Sequence, residues 1–373
     1  MEREPSSSHS NRMGTAGIIA VIILLVESST AAFWGTVEFF HEGWFEPYGR
    51  YLIFYLMPFI VLFFLSVMAT VKPATTGISI IAVSSAFSIW RVMRLKGLHY
   101  GLVPSTIIMW FLLALPGILL LIESASRMKA TSSGTYHGGY GHRIKWLRMA
   151  VIAVPIVIIF TSGAPLLIRN LKRMPLKSYG EVIVEGRDIK LVFAGSGPGW
   201  LYSNKNPITF DGKSYSALSW NEIALFGKEP IGFEGKRYGQ NYNGTEESIY
   251  YATQDDFDRY NMFRYINEAG TELTDSIYDC WRLPTIDEYV MVLSLHGENC
   301  GGRFDYEKTR AYYRKTPDKE APIWAPEKEV IYYWSSSSYD EKRAFDISYS
   351  GRVRKIYKTT KQDYRGFRAV RVQ

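Results

Sequence analysis

The side chains in this chain that could do chemistry are few and widely spaced. Cys280 and Cys300 are its two cysteines, and His296 is the single histidine after residue 178. Gly195-Ser196-Gly197-Pro198-Gly199 has the glycine density of a phosphate-cradling loop, but no Lys-Ser/Thr pair follows it. Trp200-Leu201-Tyr202 and the Asn, Pro and Gly residues after it do not open a helix either, so the cluster reads as a turn. Asp255, Asp256 and Asp258 lie along one short stretch, where they read as a solvated helix face and a dipole partner. Calcium needs six to eight oxygens that converge, and copper(I) selects soft thiolates. His137 and His142 sit in the Gly/Ser/Tyr-rich stretch Ala130–His142 without cysteine or carboxylate company. Acidic residues are plentiful but none are spaced as an acid/base pair. The expectation is a chain with no catalytic residue, no metal and no cofactor.

The cysteine pair admits two readings. Cys280 and Cys300 flank a helix-sized stretch, and a disulfide closing it would stabilise by ~3 kcal/mol in the loop-entropy argument. Alternatively they are two reduced, buried thiols. The disulfide is the expectation taken, and it implies an oxidising compartment.

The elements that must carry these residues belong to two solvents. A bilayer core of about 30 Å needs roughly 20 apolar residues of helix. Runs of that kind occupy about 14–34, 51–71, 73–90, 97–122 and 149–168. The third is short and rich in Ser and Gly, so four spans is the alternative to five. Trp34, Trp44, Trp90, Trp110 and Trp146 lie mostly at the ends of the runs, as amphipathic rings at an interface do. Glu27 falls inside the first run, where a carboxylate is expensive and often functional. No second ionisable residue accompanies it, so it reads as hydrogen-bonded to Ser28 or Ser29 near the interface. The first run also has features of a signal peptide: Arg3 and Arg12 precede it, and small residues follow at Ser29–Ala32.

Charge separates the halves. Residues 1–178 hold 16 Lys/Arg and 7 Asp/Glu, a net +9; residues 179–373 hold 27 and 29, a net −2. The basic excess therefore sits beside lipid, which argues against a nucleic-acid binder, for which a basic soluble face is needed. Only Arg343 to Arg371 approaches such a face. With five spans and the N-terminus inside, the inner segments carry Arg3, Arg12, Lys72, Arg127, Lys129, Arg143, Lys145 and Arg148. The short outer loops carry Arg50, Arg91, Arg94 and Lys96. That asymmetry places residues 179–373 outside the cytoplasm, although a four-span arrangement scores similarly.

After Tyr179 the pattern becomes strands, then helices, then strands. Glu181–Val184 and Asp188–Phe193 read as strands. Ser219, Thr253 and Thr285 each stand three residues before a carboxylate (Glu222, Asp256 and Glu288), the signature of a capping box. Gly227, Gly270 and Gly297 are expected to stop the three helices, with His296 in the last turn of the third. A long broken stretch follows Gly301. Val330–Trp334, Ala344–Tyr349, Arg352–Tyr357 and Phe367–Val372 then read as strands, with a hairpin turn at Ser350-Gly351. The fold class expected is a multi-span helical region followed by an α+β module.

Specific residues of that module resemble a known family. Trp281-Arg282-Leu283-Pro284-Thr285 with Glu288, then Tyr333-Trp334-Ser335-Ser336, Gly351, and Arg365-Gly366-Phe367-Arg368-Ala369-Val370-Arg371 resemble the Lcl C-terminal domain family, over about 218–373. The resemblance implies a C-type-lectin-like fold, shared with the formylglycine-generating enzymes, and an extracytoplasmic binding role. The copper-activating cysteine pair of those enzymes is absent, as are the Glu-Pro-Asn and Trp-Asn-Asp calcium signatures of the lectins, so no catalytic or metal residue carries over. The matching residues read mainly as scaffold. The expected ligand surface is the aromatic-rich region after Gly301, with Phe304, Tyr306, Tyr312, Tyr313 and Trp324. Its ligand would be a glycan, peptide or partner protein; the spans would meet lipid and could hold a membrane partner subunit.

Overall fold

The computed structural model of the chain describes residues 13–43, 48–94, 102–133, 141–185, 190–233 and 250–372. Arg3, Arg12, Trp44, Lys96, His137 and Asp188, on which expectations above fall, lie outside the described residues. The chain divides into two compact units, Met1–Ile168 and Arg169–Gln373. Residues 169–178, read above with the membrane half, thus group with the second unit.

The first unit consists of helices α1 (Thr15–Glu38, running into one π turn at Phe39–Gly43), α2 (Tyr48–Ala69), α3 (Pro73–Arg94), α4 (Leu102–Ser133) and α5 (Gly141–Leu171). All five contain stretches long and apolar enough to cross a membrane, α3 included. The packing rule is that of helices in lipid: small residues face inward so that backbones can approach. α3 and α4 cross where Gly77 meets Gly117; a Cβ on either would stand 2.8–2.9 Å from the other's carbonyl oxygen. Large apolar side chains such as Phe54, Phe64 and Phe160 point outward. Glu27 departs from its expected bond: its Oε2 and the Ser29 hydroxyl have no hydrogen-bond partner among the described residues, and Ser28 donates to the Leu25 carbonyl instead. The engaged carboxylate is Glu123 on α4. It accepts the Gly14 N–H at 2.7 Å and the Gly17 N–H at 3.3 Å, and holds Arg127 at 2.8 Å. A carboxylate at the positive end of α1 satisfies amides that the helix itself leaves unpaired.

The second unit opens with β1 (Val182–Glu185), β2 (Lys190–Phe193) and β3 (Trp200–Leu201), then the small hairpin β4 (Ile208–Phe210) and β5 (Lys213–Tyr215). Three short helices follow: α6 (Trp220–Ala224), α7 (Gln254–Tyr260) and α8 (Ile286–Val292). All three begin with the reciprocal capping box read from the sequence, at Ser219/Glu222, Thr253/Asp256 and Thr285/Glu288. None reaches its expected glycine stop. Asn261 ends α7 by capping a 3₁₀ turn, Met262–Tyr265. Past α8 the chain forms β6 (Ser294–Leu295) and β7 (Glu298–Asn299) around a two-residue turn. His296 and Gly297 both have positive φ, 54° and 77°, which suits the twist of a tight hairpin. His296 is therefore a turn residue, not a helix terminus, and both turn amides donate to the Glu320 carboxylate at 2.8 and 2.9 Å.

A second hairpin, β8 (Arg303–Asp305) and β9 (Arg310–Tyr312), precedes the main strands β10 (Tyr332–Ser338), β11 (Arg343–Ser348), β12 (Val353–Tyr357), β13 (Arg365–Arg368) and β14 (Val370–Val372). The principal sheet has the order β12-β11-β10-β13-β3, and β1-β2-β14 forms a second, so the unit's first strands pair with its last. Alternate residues of a strand face opposite sides, and here both sides are buried. Tyr333, Phe345 and Trp200 join a cluster with Tyr289 and Trp324, whereas Trp334, Ala344, Leu201 and Phe367 join one with Trp220, Phe226 and Phe263. The expected strand Phe367–Val372 is broken at Ala369 because its two halves serve different sheets.

Two clusters of buried charge in this unit are compensated by partners. Asp346, fully buried, binds Arg354 at 2.7 Å and Arg365 at 3.0 Å. Arg368 is 0 % exposed, and its guanidinium donates to carbonyls: Ala194 at 2.8 Å, Gly180 at 3.1 Å, and Pro322. Its guanidinium lies 3.7 Å from the Trp200 ring centroid, and burial pushes its pKa down to about 10. Arg343 and Arg371 are held by Asp340 and Glu181, so most arginines of the C-terminal strands are committed internally.

Cys280 and Cys300 are free thiols, and the expected disulfide is absent. Cys280 packs against the cluster around Phe263 and Trp334. Cys300 is buried beyond α8, its N–H donating to the Leu293 carbonyl, on the side of Tyr313 and Glu320. The extended stretch 281–285 and the helix after it carry the chain from one cluster to the other, so the ends of this segment do not return to each other. Burial, and then the Glu320 charge, push the Cys300 thiol up to about 11.

Candidate functional site

The hairpin β8–β9 builds the site. Its register sets Arg303 opposite Tyr312 and Phe304 opposite Ala311. Because strand side chains alternate, Phe304 turns inward, onto Phe345 at 5.4 Å between ring centroids. Arg303, Arg310 and Tyr312 turn outward; the guanidinium carbons of Arg303 and Arg310 stand 5.9 and 5.5 Å from the Tyr312 ring centroid. Beside the hairpin is an open groove of about 840 Å³, bounded by Met291 and Asp287 of α8, by Asn299, and by Gly301 to Phe304 and Tyr312 to Arg314. Glycines at 301 and 302 leave that wall bare. A Cβ on Gly301 would collide with the Arg314 guanidinium, and one on Gly302 with the Val290 carbonyl and the Tyr313 ring.

Four of the five aromatic residues expected at a ligand surface are here. Phe304, Tyr312 and Tyr313 line the groove, but Phe304, at 7 % exposure and packed on Phe345, is core rather than ligand surface. Tyr306, 56 % exposed, donates its hydroxyl to the groove carboxylate Asp287. Partial burial and that carboxylate push the phenol up to about 12. Tyr313 donates to the Gly351 carbonyl at 2.9 Å, which fixes its ring. Trp324 is the correction: at 1 % exposure, its ring centroid 4.1 Å from that of Tyr333 and tilted against it, it is core and offers no ligand surface. The sequence reading missed Arg303, Arg314, Asp287 and Asn299. The alternation of Arg310 and Tyr312 was the available signal, since period two puts both on one face of β9; Arg314 lies beyond the strand, in a bend.

Of the family-like motif residues, Trp281, Arg282, Leu283, Thr285, Glu288 and Ser336 line a different depression, of about 730 Å³, where α7, the segment 279–288 and Ser336 to Ser338 meet. Arg282 holds Glu288 through two bonds of 2.5 and 2.7 Å, and Glu288 in turn accepts the Thr285 N–H. The Pro284 carbonyl accepts from Ser336 N–H, and Arg282 also bridges to Val370 through backbone bonds. Trp281 donates to the Asn267 carbonyl, Trp334 to the Leu218 carbonyl, and Ser335 to the Phe345 carbonyl. Leu283 is core, Gly351 occupies the β11–β12 turn with φ 79°, and a Cβ on Gly366 would strike the Leu201 carbonyl. Every motif residue thus has a structural task.

The acidic residues noted above are likewise committed. Asp256 closes a capping box, Asp255 pairs with Arg259 at 3.1 Å, and Asp258 accepts from Gln254. Among the described residues no three His, Cys, Asp or Glu side chains are grouped so as to hold a metal ion. In comparisons with known proteins, no family model, no curated protein and no solved structure matches this chain.

Proposed function

We propose that this chain is a membrane-anchored, non-catalytic binding module. Its second unit lies outside the cytoplasm, takes a C-type-lectin-like fold related to the Lcl C-terminal domain family, and captures a ligand in the groove beside β8–β9. The observation that carries the reading is the treatment of aromatic side chains. Trp200, Trp220, Trp281, Trp324 and Trp334 are all buried, yet Tyr306 is exposed and Tyr312 half-buried beside an open groove. Rigid aromatic rings at a surface supply contact area at low entropic cost. The acidic residues that acid/base catalysis would use are held in caps and ion pairs, which supports a binding role. The outside location rests on five spans and on the excess of Lys/Arg in the segments assigned to the inside.

Two measurements test this. Full-length protein in nanodiscs is applied to glycan and peptide arrays beside Met291→Trp, which fills the groove; binding should be seen and should be lost in the variant. Equal signals from both proteins would place binding elsewhere. A membrane-impermeant maleimide added to intact cells (or spheroplasts) should label Cys280, which is partly exposed, and spare buried Cys300. Labelling of Cys280 only after the membrane is broken would put the unit inside.

A further inference from the structure

The polar side chains inside the apolar runs of the first unit differ in how they are satisfied. Glu123 is held by the Gly14 and Gly17 amides and by Arg127. Ser66, Thr161 and Ser162 donate to carbonyls of their own helices, as hydroxyls in helices do. Glu27 stands apart. Its Oε2 is buried without a hydrogen-bond partner, and no ion pair reaches the residue among the described residues. The Ser29 and Thr36 hydroxyls also lack partners there. A hydroxyl can rotate toward the carbonyl one turn back, whereas an ionised carboxylate only accepts.

Its position makes the missing partner costly. The first apolar span runs from Thr15 to His41, and Glu27 stands twelve residues from one end and fourteen from the other. At 1.5 Å per residue that is roughly 18 and 21 Å, so the carboxylate lies near mid-span and not at the interface expected of it. Around the helix, Ile22, Val26 and Phe33 repeat at helical spacing and are exposed, while Ala20, Leu24 and Ser28 form the buried stripe. Glu27 falls on the border between the two and is half-buried. It therefore edges an apolar face that the other described helices leave open.

We infer that this face of α1 docks a spanning helix of another membrane protein, one that carries a lysine or arginine near its own midpoint. A carboxylate in hydrocarbon is retained where it meets an opposite charge, and the first unit supplies none at that depth. Arg91, Arg127, Lys129, Lys145, Arg148 and Arg169 all stand in the terminal turns of their spans. The same placement argues against a second copy of this chain as the occupant. Its spans offer no cation at mid-depth, and a parallel pair would set Glu27 against Glu27, like charge on like. A cation midway along the partner helix carries the reciprocal cost, so each charge selects the other. The apolar stripe through Val26 supplies packing on either side of the pair. This interaction is independent of the groove beside β8–β9.

The test uses full-length protein reconstituted in liposomes with synthetic Leu/Ala helices of about 21 residues. Each helix has Lys, Leu or Glu at its centre and a photoreactive diazirine residue beside it. The Lys helix should cross-link about tenfold more than the Leu helix, with adducts mapping to residues 19–34. Glu27→Gln should bring the Lys helix down to the Leu level, Glu27→Asp should keep part of the preference, and Ser29→Ala should change nothing. Glu27 makes no bond among the described residues, so the Gln variant should keep its melting temperature in detergent. Equal yields from the Lys and Leu helices overturn the inference, as does a Lys preference that survives Glu27→Gln. A Glu helix captured as strongly as the Lys helix would show Glu27 to be a protonated acid pairing with another acid, which overturns the cationic partner. A Gln variant that melts lower, with no Lys preference in the wild type, would assign Glu27 to an internal bond and overturns it too.

Discussion

The two units solve burial in opposite ways. The first hides its small residues and presents its large ones. Gly17, Ala20, Ala32, Gly35, Ser66 and Thr76 are buried, while Phe54, Phe64 and Phe160 are exposed. The second hides Trp, Tyr and Phe on both faces of one sheet and threads charge through them. Where lipid is the solvent, moving a large apolar side chain inward gains little, so backbone proximity and the satisfaction of polar groups decide the packing. Where water is the solvent, large apolar area is the main gain, and any charge buried with it needs a partner. Each unit should therefore be most sensitive to a different kind of substitution.

The largest effect is expected where the second unit buries charge. Asp346→Ala leaves Arg365 and part of Arg354 without their counter-charge, at a cost of about 3–5 kcal/mol. Limited proteolysis of the full-length protein should show residues 180–372 becoming labile, while the helices of the first unit stay protected. A protected second unit would mean that Trp334, 4.7 Å from the Arg365 guanidinium, and the carbonyls nearby are compensation enough.

Lys358 sharpens the same point through pH. Its side chain is 1 % exposed, donates to the Ala252 carbonyl, and has no carboxylate in contact among the described residues; burial pushes its pKa down to about 8. The unfolded chain keeps an ordinary lysine near 10.4. Between those values the unfolded state binds the proton and the folded state does not, so this group's contribution to stability rises with pH from about 8 to about 10.4. Below pH 8 both states are protonated, and the folded unit bears the full cost of a buried ammonium, on the order of 2–3 kcal/mol. Hydrogen-exchange protection of β11 and β12 should therefore climb across that window, and Lys358→Met should flatten the climb. A wild-type profile already flat would show that the cation over the Trp220 ring, at 4.8 Å, is stabilised in the folded state.

In the first unit the sensitive feature is bulk at a backbone crossing. Gly117→Val places methyl groups where the Gly77 carbonyl stands, and overpacking of that kind costs about 1–3 kcal/mol. The melting temperature of the first unit's helices in detergent should fall, with the hydrogen-exchange protection of β10 and β11 unchanged. Loss in both units together would break the division into two independent packing regimes.

What the sequence disclosed follows from how local each determinant is. A capping box is decided within four residues, and all three were legible, as were the main strands and the five long apolar runs. Helix lengths were not, because Gly270 and Gly297 turned out to serve other turns while Asn261 ended α7 from within. Contacts far apart in sequence were hidden. Glu123 reaches an amide 109 residues away, and nothing in its neighbourhood announces this. Trp324 looked like surface because its surroundings are polar and rich in proline, but Tyr333 and Trp200 claim it for the core. Of the candidate site, Tyr306, Tyr312 and Tyr313 were found through residue type. The arginines were overlooked because a charge without a partner is recognisable only once the partners of all the others are known.

The smallest effect separates scaffold from site within the second unit. Thr285 accepts the Glu288 N–H at 3.3 Å, and the Glu288 carboxylate accepts the Thr285 N–H at 2.8 Å. Thr285→Ala removes the first bond and leaves the second, together with the Arg282 pair that holds Glu288 in place. A lost N-cap costs ~1 kcal/mol, so the variant should melt slightly lower while binding the same ligand in the β8–β9 groove with unchanged affinity. Thr285→Ser keeps the oxygen and should restore stability. Tyr312→Ala should behave oppositely, because the half-buried ring lines the groove with guanidiniums around it: binding falls and the melting temperature holds. If Thr285→Ala lost binding at full stability, the depression between α7 and Ser336–Ser338 would be the ligand site. The motif residues around it would then be contacts as well as scaffold.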